Sequence, residues 1–521
     1  MKIKINTAIA LFIFVLATVA CTDKYGDINR DPYEIDDEEA SRDGYNISSK
    51  MRTLQFNVIP VDAGRCQYTD LLLGGAYGRY VSESKANAWP NKFSTFDAPD
   101  SWSGVMFNEV IPQIYPAYNE LKNVTDDVVA LSIAEILKVM AMQRVTDVYG
   151  PIPYSKIGVD GAIQAPYDSQ KDIYMKMFEE LDSAIEQLTE RQTQSISPNT
   201  DLIYGGDLMR WIKLANSIKL RMAMRIVYAE PTIAKTRAEE AVSHSIGVMT
   251  SNADNAVLKT FGVDGNPLNV AIKFNAGDHR SVADMTAYMN AYGDPRRAAY
   301  FEPSGFTGVD YSGYRSGISI GGESEFIKYS LIKISRDTPL QWMNAAEVAF
   351  LKSEGALRGW NMGGESAKTL YEQAVALSFE QWGVTGVDTY LANNTGTPNG
   401  YTDPAGTYTY SSRLTDVTVM WDETAAFEKK LERIIVQKWL ANYLLGHEAW
   451  ADRRRTGYPR MIPVVVNNSQ GLLTDDATPR RMPYPAQEAV TNKKNYDEAL
   501  VMLRGSDNIA TRLWWDCNPN N

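Results

Sequence analysis

The stretch from Lys85 to Phe96 carries Lys85, Asn87, Trp89, Asn91, Lys92, Phe93 and Phe96, with Pro90 beside the indole. A sugar ring offers an apolar C–H face and a rim of hydroxyls. A surface that holds one needs an aromatic plate flanked by amide, carboxylate or cationic side chains, and this stretch supplies that set. Trp89 lies off any helical stripe, so its ring is not committed to a helix interface; its competing use is packing within the loop. A second set, Tyr311, Tyr314 and Arg315, lies among Gly305, Gly308, Gly313 and Gly317, where side chains can be displayed. Catalytic sets are harder to assemble. His447 stands beside Glu448, but no nucleophile or metal set accompanies it, so it reads as a structural histidine. Acidic residues are plentiful enough to leave a glycosidase carboxylate pair open, yet no hydrolase motif goes with them. The expectation is a protein that binds and does not catalyse, with no cofactor and no Cys/His metal spacing.

The elements that must position these residues are mostly helical. Trp102, Val105, Met106, Val110, Ile114 and Leu121 recur at spacings near three and four, which predicts a helix over 102–121 capped by Asp100 or Ser101. Val129, Ile133, Ile136, Leu137, Met140 and Val145 predict a second over 126–148, stopped by Gly150 and Pro151. Further helices are predicted over 170–190, 207–229, 232–245, 340–359 and 365–381. Others are expected over 424–456, with a break near Gly446, and in short pieces over 485–503. The pair spanning 340–381 alternates small and large residues in the manner of tetratricopeptide repeats, with a degenerate period. Three long stretches, 82–101, 277–338 and 386–421, lack helical periodicity; their aromatic content argues against disorder. The fold class expected is all-α, with little sheet and long irregular loops. Trp102, Trp514 and Trp515 read as packing residues, and Tyr484, between Pro483 and Pro485, as an anchor.

The first residues concern location. Lys2 and Lys4 precede an apolar run from Ala8 to Ala20, and Cys21 follows directly. The run is too short for a permanent membrane span and reads as a secretory signal. A Cys at that point resembles a bacterial lipobox, with Thr18 standing where Leu is usual, so Cys21 is the expected lipid attachment site. The expected organisation is a signal at 1–20, a lipidated polar tether at 21–40, and one helical domain at 41–521 with a loop-rich insertion around 277–338. A net charge of −12 offers no basic field to a phosphate backbone, which argues against nucleic acid. Cys66 and Cys517 would remain as two separate thiols or one disulfide, and separate thiols are the expectation.

Several motifs carry a family resemblance. They are Trp342 to Glu347 (WMNAAE), Leu357 to Trp360 (LRGW), Trp439 to Trp450 (WLANYLLGHEAW), Asp452 to Pro459 (DRRRTGYP), and Pro479 to Pro485 (PRRMPYP) with Glu488 and Asn492. With the lipoprotein signal and the paired helices, they resemble the SusD/RagB family over most of the mature chain. The resemblance implies a superhelix of tetratricopeptide-like pairs with a loop-built ligand face, anchored by lipid on the surface of the outer membrane. It implies an oligosaccharide ligand and a SusC-type TonB-dependent transporter as partner; a peptide ligand, as for RagB-like receptors, is the alternative. In such proteins ligand contacts come from the Trp89 region and the element before it, which adds Asp70 and Arg79, unless those two pair with each other. Arg453, Arg454 and Arg455 are expected to form an ion-paired helix end that supports the core.

Overall fold

The computed structural model describes residues 44–83, 91–158, 164–259, 261–262, 264–273, 279–319 and 326–521. The signal, the tether, Asn87 and Trp89 lie outside them. The longer helices are α1 (Tyr45–Val58), α2 (Ile111–Val124), α3 (Val128–Tyr149), α4 (Gln170–Glu190), α5 (Leu208–Arg225) and α6 (Pro231–Ser243). They continue with α7 (Pro267–Lys273), α8 (Ala283–Ala291), α9 (Ala345–Leu357), α10 (Ala367–Gln381), α11 (Phe427–Ala441), α12 (Gly446–Thr456) and α13 (Lys493–Leu503).

Their starts follow capping chemistry. The carboxylate of Asp127 accepts from the backbone of Val129 and Ala130 to open α3, Ser169 accepts from Asp172 to open α4, and Asp207 accepts from Arg210 to open α5. Asn344 accepts from Glu347 at α9, and Ser366 from Thr369 at α10. Consecutive helices then pair: α1 with α2, α3 with α4, α5 with α6, and α9 with α10, while α11 packs against α9 and α10. The sheet content among the described residues is three two-stranded antiparallel ladders. These are β1 (Val81–Glu83) with β5 (His279–Ser281), β2 (Ile152–Pro153) with β3 (Tyr167–Asp168), and β4 (Ala256–Leu258) with β6 (Leu340–Met343). The expected helix-rich fold with little sheet is therefore present.

Three local expectations are corrected. The 340–359 segment begins as β6 and turns helical only at Ala345, because Leu340 to Met343 pair with β4 and Asn344 restarts the chain as a cap. The 102–121 helix is interrupted: Asp100–Ser103 is one short helix, Met106–Val110 is π-helical, and α2 follows, with Pro112 in its first turn and Pro116 inside it. The 277–338 stretch contains a helix, α8. Seven of its residues are buried, from Ala283 through Met289, so no polar face marks a period.

One hydrophobic core runs through the helix pairs, and a small satellite of Tyr314, Ile318, Phe326 and Tyr329 sits under the Gly-rich loop. A buried ionic network crosses the main core. Arg221 binds Glu347 with two contacts of 2.7 Å, Arg225 binds Glu448 at 2.5 Å, and Lys438 binds Asp452 at 2.8 Å. Arg455 joins Glu354 to Asp452, and Arg454 donates to the carbonyls of Asp147 and Arg480 while lying over Trp450 and Trp515. The three consecutive arginines support the interior as expected, but of the three only Arg455 makes an ion pair among the described residues; Arg453 and Arg454 donate to backbone carbonyls. Tyr484 is buried and donates to the carbonyl of Pro151, and Trp515 is buried and donates to Asp147. Cys66 is buried, Cys517 is exposed, and both are free.

Candidate ligand-binding face

The loop face begins at a close backbone crossing. A π-helical segment, Gln67–Gly75, passes over the start of α12, and Gly74, Gly78 and Gly446 meet there. A Cβ on Gly446 would lie 2.2 Å from the carbonyl of Gly74, and one on Gly78 would lie 2.5 Å from the carbonyl oxygen of Gly446. Side chains are excluded at this contact. The crossing fixes the chain that becomes β1, and Tyr80 reinforces it by donating to the carbonyl of Trp439 at 2.7 Å.

β1 pairs with β5 so that Glu83 faces His279. On the far side of β5 the chain at Tyr314 runs alongside: its N–H donates to the carbonyl of Ser281 at 2.7 Å, and its carbonyl accepts from Ala283 at 2.9 Å. The loop over 401–410 then leans on this segment. Tyr401 and Tyr410 bond each other's backbone, and the Tyr401 hydroxyl donates to the carbonyl of Gly313 at 2.7 Å. Asp403 holds the loop closed, accepting from the backbone of Thr407 and Tyr408 and from the Tyr329 hydroxyl.

These contacts separate the residues named from sequence. Asn91 is exposed. Phe93, expected on the ligand face, is fully buried, edge-on to Tyr77 at 5.5 Å and beside Trp102 at 6.2 Å. Asp70 is buried, bound to Arg144 at 2.5 Å and to the Thr69 hydroxyl at 2.7 Å. Arg79 is buried 3.6 Å from Asp284, so Asp70 and Arg79 do not pair with each other. Arg79 has φ +57°, a left-handed turn that redirects the chain into β1.

Tyr311 and Tyr314 part company. In extended chain, residues three apart point to opposite sides. Tyr314 turns into the satellite cluster, 4.8 Å from Tyr329, while Tyr311 stays half-buried against Phe301 with the Arg297 guanidinium 5.7 Å above its ring. Arg315 acts as a clamp: one nitrogen donates to the carbonyl of Tyr408 at 3.0 Å and another to that of Pro463 at 2.9 Å. Burial pulls its pKa below the usual guanidinium value. The half-exposed aromatics around this region are Phe306, Tyr311, Tyr408 and Tyr410. Phe306, Tyr408 and Tyr410 escaped sequence reasoning. The Tyr and Gly spacing of 400–410 marked a loop and did not mark which rings would remain uncovered.

His447 donates to, or accepts through, no catalytic partner: its Nε2 meets the carbonyl oxygen of Thr69 at 2.8 Å, which assigns the proton to that nitrogen. Burial, then the nearby Arg144, lowers its pKa to about 4. No cluster of His, Cys, Asp and Glu suited to a metal occurs among the described residues.

Comparison with known proteins agrees with this architecture. The family model described as "SusD-like: Susd and RagB outer membrane lipoprotein" matches residues 27–516. A SusD homolog from Bacteroides uniformis is 47% identical, with 91% of this chain and 100% of that chain covered and a TM-score of 0.88. A SusD homolog from Bacteroides ovatus is 42% identical over 91% of this chain and 100% of that chain, TM-score 0.86. A chitin-binding SusD homolog from Flavobacterium johnsoniae is 37% identical over 91% of this chain and 99% of that chain, TM-score 0.86. No protein of curated function matches the chain.

Proposed function

The chain belongs to the SusD/RagB family of outer-membrane lipoproteins, and from that membership we propose that it is a surface receptor that captures a neutral oligosaccharide and passes it to a SusC-type TonB-dependent transporter. On this reading the chain is a binding protein and not an enzyme. The observation that carries the reading is the set of half-exposed rings, Phe306, Tyr311, Tyr408 and Tyr410, held on loops that buried residues fasten to the core. Rings fixed from behind lose little entropy on binding and offer apolar faces to sugar C–H groups. The chitin-binding relative supports a glycan as the ligand class. Trp89, Asn87 and Asn91 are proposed to add the plate and the hydroxyl contacts described above, with Asp70, Arg79, Phe93, Tyr314 and Arg315 supporting the face from beneath.

The same reading places the protein on the outer surface, held by acyl chains on Cys21. No helix of the described residues is long and apolar enough to cross a membrane. Calorimetric titration with neutral oligosaccharides and with peptides, alongside chromatography of the sugar products, tests the proposal. Oligosaccharide binding without release of shorter sugars is expected, and Trp89→Ala should weaken it by more than about tenfold, or ~1.4 kcal/mol. Binding of peptides and of no glycan would overturn the reading in favour of a peptide receptor; released sugar would indicate a hydrolase.

A further inference from the structure

A cleft of about 790 Å³ lies between the β4–β6 ladder, α7 and the ends of α10 and α11. None of its lining residues belongs to β1, β5, the Gly-rich loop or the 401–410 loop. Its volume falls within the roughly 300–1,000 Å³ of small-ligand sites. Asp70, which the sequence placed with the ligand face, also lines this cleft.

The chemistry of the cleft is specific. Ile203, Val257, Leu268, Ile334 and Leu340 line it with apolar surface. Trp382 is half-buried, edge-on to Tyr300 at 4.6 Å and 6.1 Å from Tyr443, so two buried tyrosines hold the indole where it lines the cleft. Two of the wall charges are ion-paired, Arg210 with Asp207 at 3.1 Å and Asp70 with Arg144, while Glu380 accepts from the amide of Asn252 at 2.9 Å. Lys259 is exposed. Beside the indole, the amides of Gln341 and Gln381 bond each other, leaving Gln381 Oε1 and the indole N–H of Trp382 without partners. Both of those atoms are covered, so a ligand hydroxyl donates to the Gln381 oxygen only after that half-buried amide turns.

We infer that this cleft is a second saccharide site, taking a neutral sugar ring with its apolar face on Trp382 and its hydroxyls on Gln341 and Gln381. The two remaining wall charges, Lys259 and Glu380, are of opposite sign and give the cleft no single-sign field, and an indole beside amides suits a neutral polyol better than a purely apolar chain. The inference rests on the glycan reading above, although the two can fail separately.

The test is Ala253→Trp, an exposed residue of the cleft lining whose enlargement obstructs the cleft without touching the core. Trp382→Leu is the second variant, with melting curves for both. Chitopentaose, maltoheptaose, xylohexaose and laminarihexaose are titrated calorimetrically into the full-length protein. Two sites per chain in the wild type are expected, falling to one in Ala253→Trp, with the cleft affinity at least tenfold weaker in Trp382→Leu. One wild-type site abolished by Ala253→Trp would support the cleft and overturn the loop face. Stoichiometry and affinity unchanged by Ala253→Trp would overturn the inference and leave the loop-face reading standing. No binding of any of the four sugars to wild type would overturn both.

Discussion

Arg455 grips Glu354 with two hydrogen bonds, 2.5 Å to one carboxylate oxygen and 2.7 Å to the other, and both side chains are about 99% buried, with exposures of 1% each. The pair joins α12 to α9. Arg358 adds a further contact to the same carboxylate at 2.8 Å. Burial alone would raise the Glu354 pKa, but the two guanidiniums hold it below the ordinary carboxylate value. Removing one partner leaves the other with a single charged neighbour, Arg358 for Glu354 and Asp452 for Arg455, so each single loss should stay below the roughly 3–5 kcal/mol of a stranded buried charge, and removing both should cost less than the sum. Denaturant unfolding of Arg455→Leu, Glu354→Leu and the double variant should show that ordering. Additive losses would mean that the two side chains are not energetically coupled.

Acid should destabilise the protein in two stages. His447 and His279 are held neutral by burial, and then by Arg144 and Arg280 respectively, with pKa values lowered to about 4 and about 3. The unfolded chain binds those protons near pH 6.5, so their stabilisation is complete above roughly 6.5 and is lost as the pH falls toward the folded values. Glu448 and Asp452 would be raised by burial, but Arg221 and Arg225 in one case, and Lys438 and Arg455 in the other, lower each to about 2. Their contribution is present above about pH 4 and lost between about 4 and 2. Asp147 opposes this trend, since burial raises its pKa. The melting temperature should begin to fall below about pH 6.5 and fall more steeply below about 4. His447→Gln should flatten the first stage. An unchanged first stage in that variant would remove His447 from the account.

Gly446→Ala should be among the more damaging single-methyl changes in the chain. The new Cβ would sit 2.2 Å from the Gly74 backbone, and no flexible side chain is present there to yield. A loss of at least about 2 kcal/mol is expected, together with weaker ligand binding, because β1 hangs from this crossing. Gly64→Ala is the control: its Cβ meets Asp62 at an ordinary 3.4 Å. Thermal unfolding of the two variants decides, and equal stabilities would show that the crossing tolerates separation.

Cys21→Ala should release the protein from the outer membrane or leave it unprocessed. Acyl chains supply about 0.8 kcal/mol per buried CH₂, so losing them removes the anchor. Fractionation of membranes is the measurement, and wild-type partitioning of the variant would refute lipid attachment at this residue.

Ligand affinity should change by less than about twofold between low and moderate salt. Stacking and hydrogen bonds to neutral sugar release no condensed counterions, whereas polyanion binding falls by orders of magnitude over such a range. A steep salt dependence would point to a charged ligand.

Much of the fold was legible because the surface helices obey local rules. The 170–190 prediction coincides with α4, whose Ser169 cap and amphipathic stripe are both written in the chain. Interior helices were harder. In α8 the run from Ala283 to Met289 is buried on every side, so periodicity vanishes. The supporting role of Arg79 and Arg315 was also invisible: sequence shows a cation in a loop, while burial and the Asp284, Tyr408 and Pro463 contacts depend on distant segments. The same holds for Phe93, an aromatic in a polar stretch whose ring the fold needed for itself.

The approaches of Gly78 to Gly446 and of Gly446 to Gly74 are backbone on backbone, and the His447 ring closes against Gly74. A joint of that kind makes no demand on the exposed side chains of the loops it carries. The recognition loops can therefore be rewritten at their exposed positions, with Arg79, Arg315 and Asp403 kept as fasteners, while the crossing beneath them stays the same. That makes this chassis suitable for exchange: a loop set transplanted between two such proteins should bring its ligand preference along, provided the three glycines travel as one unit.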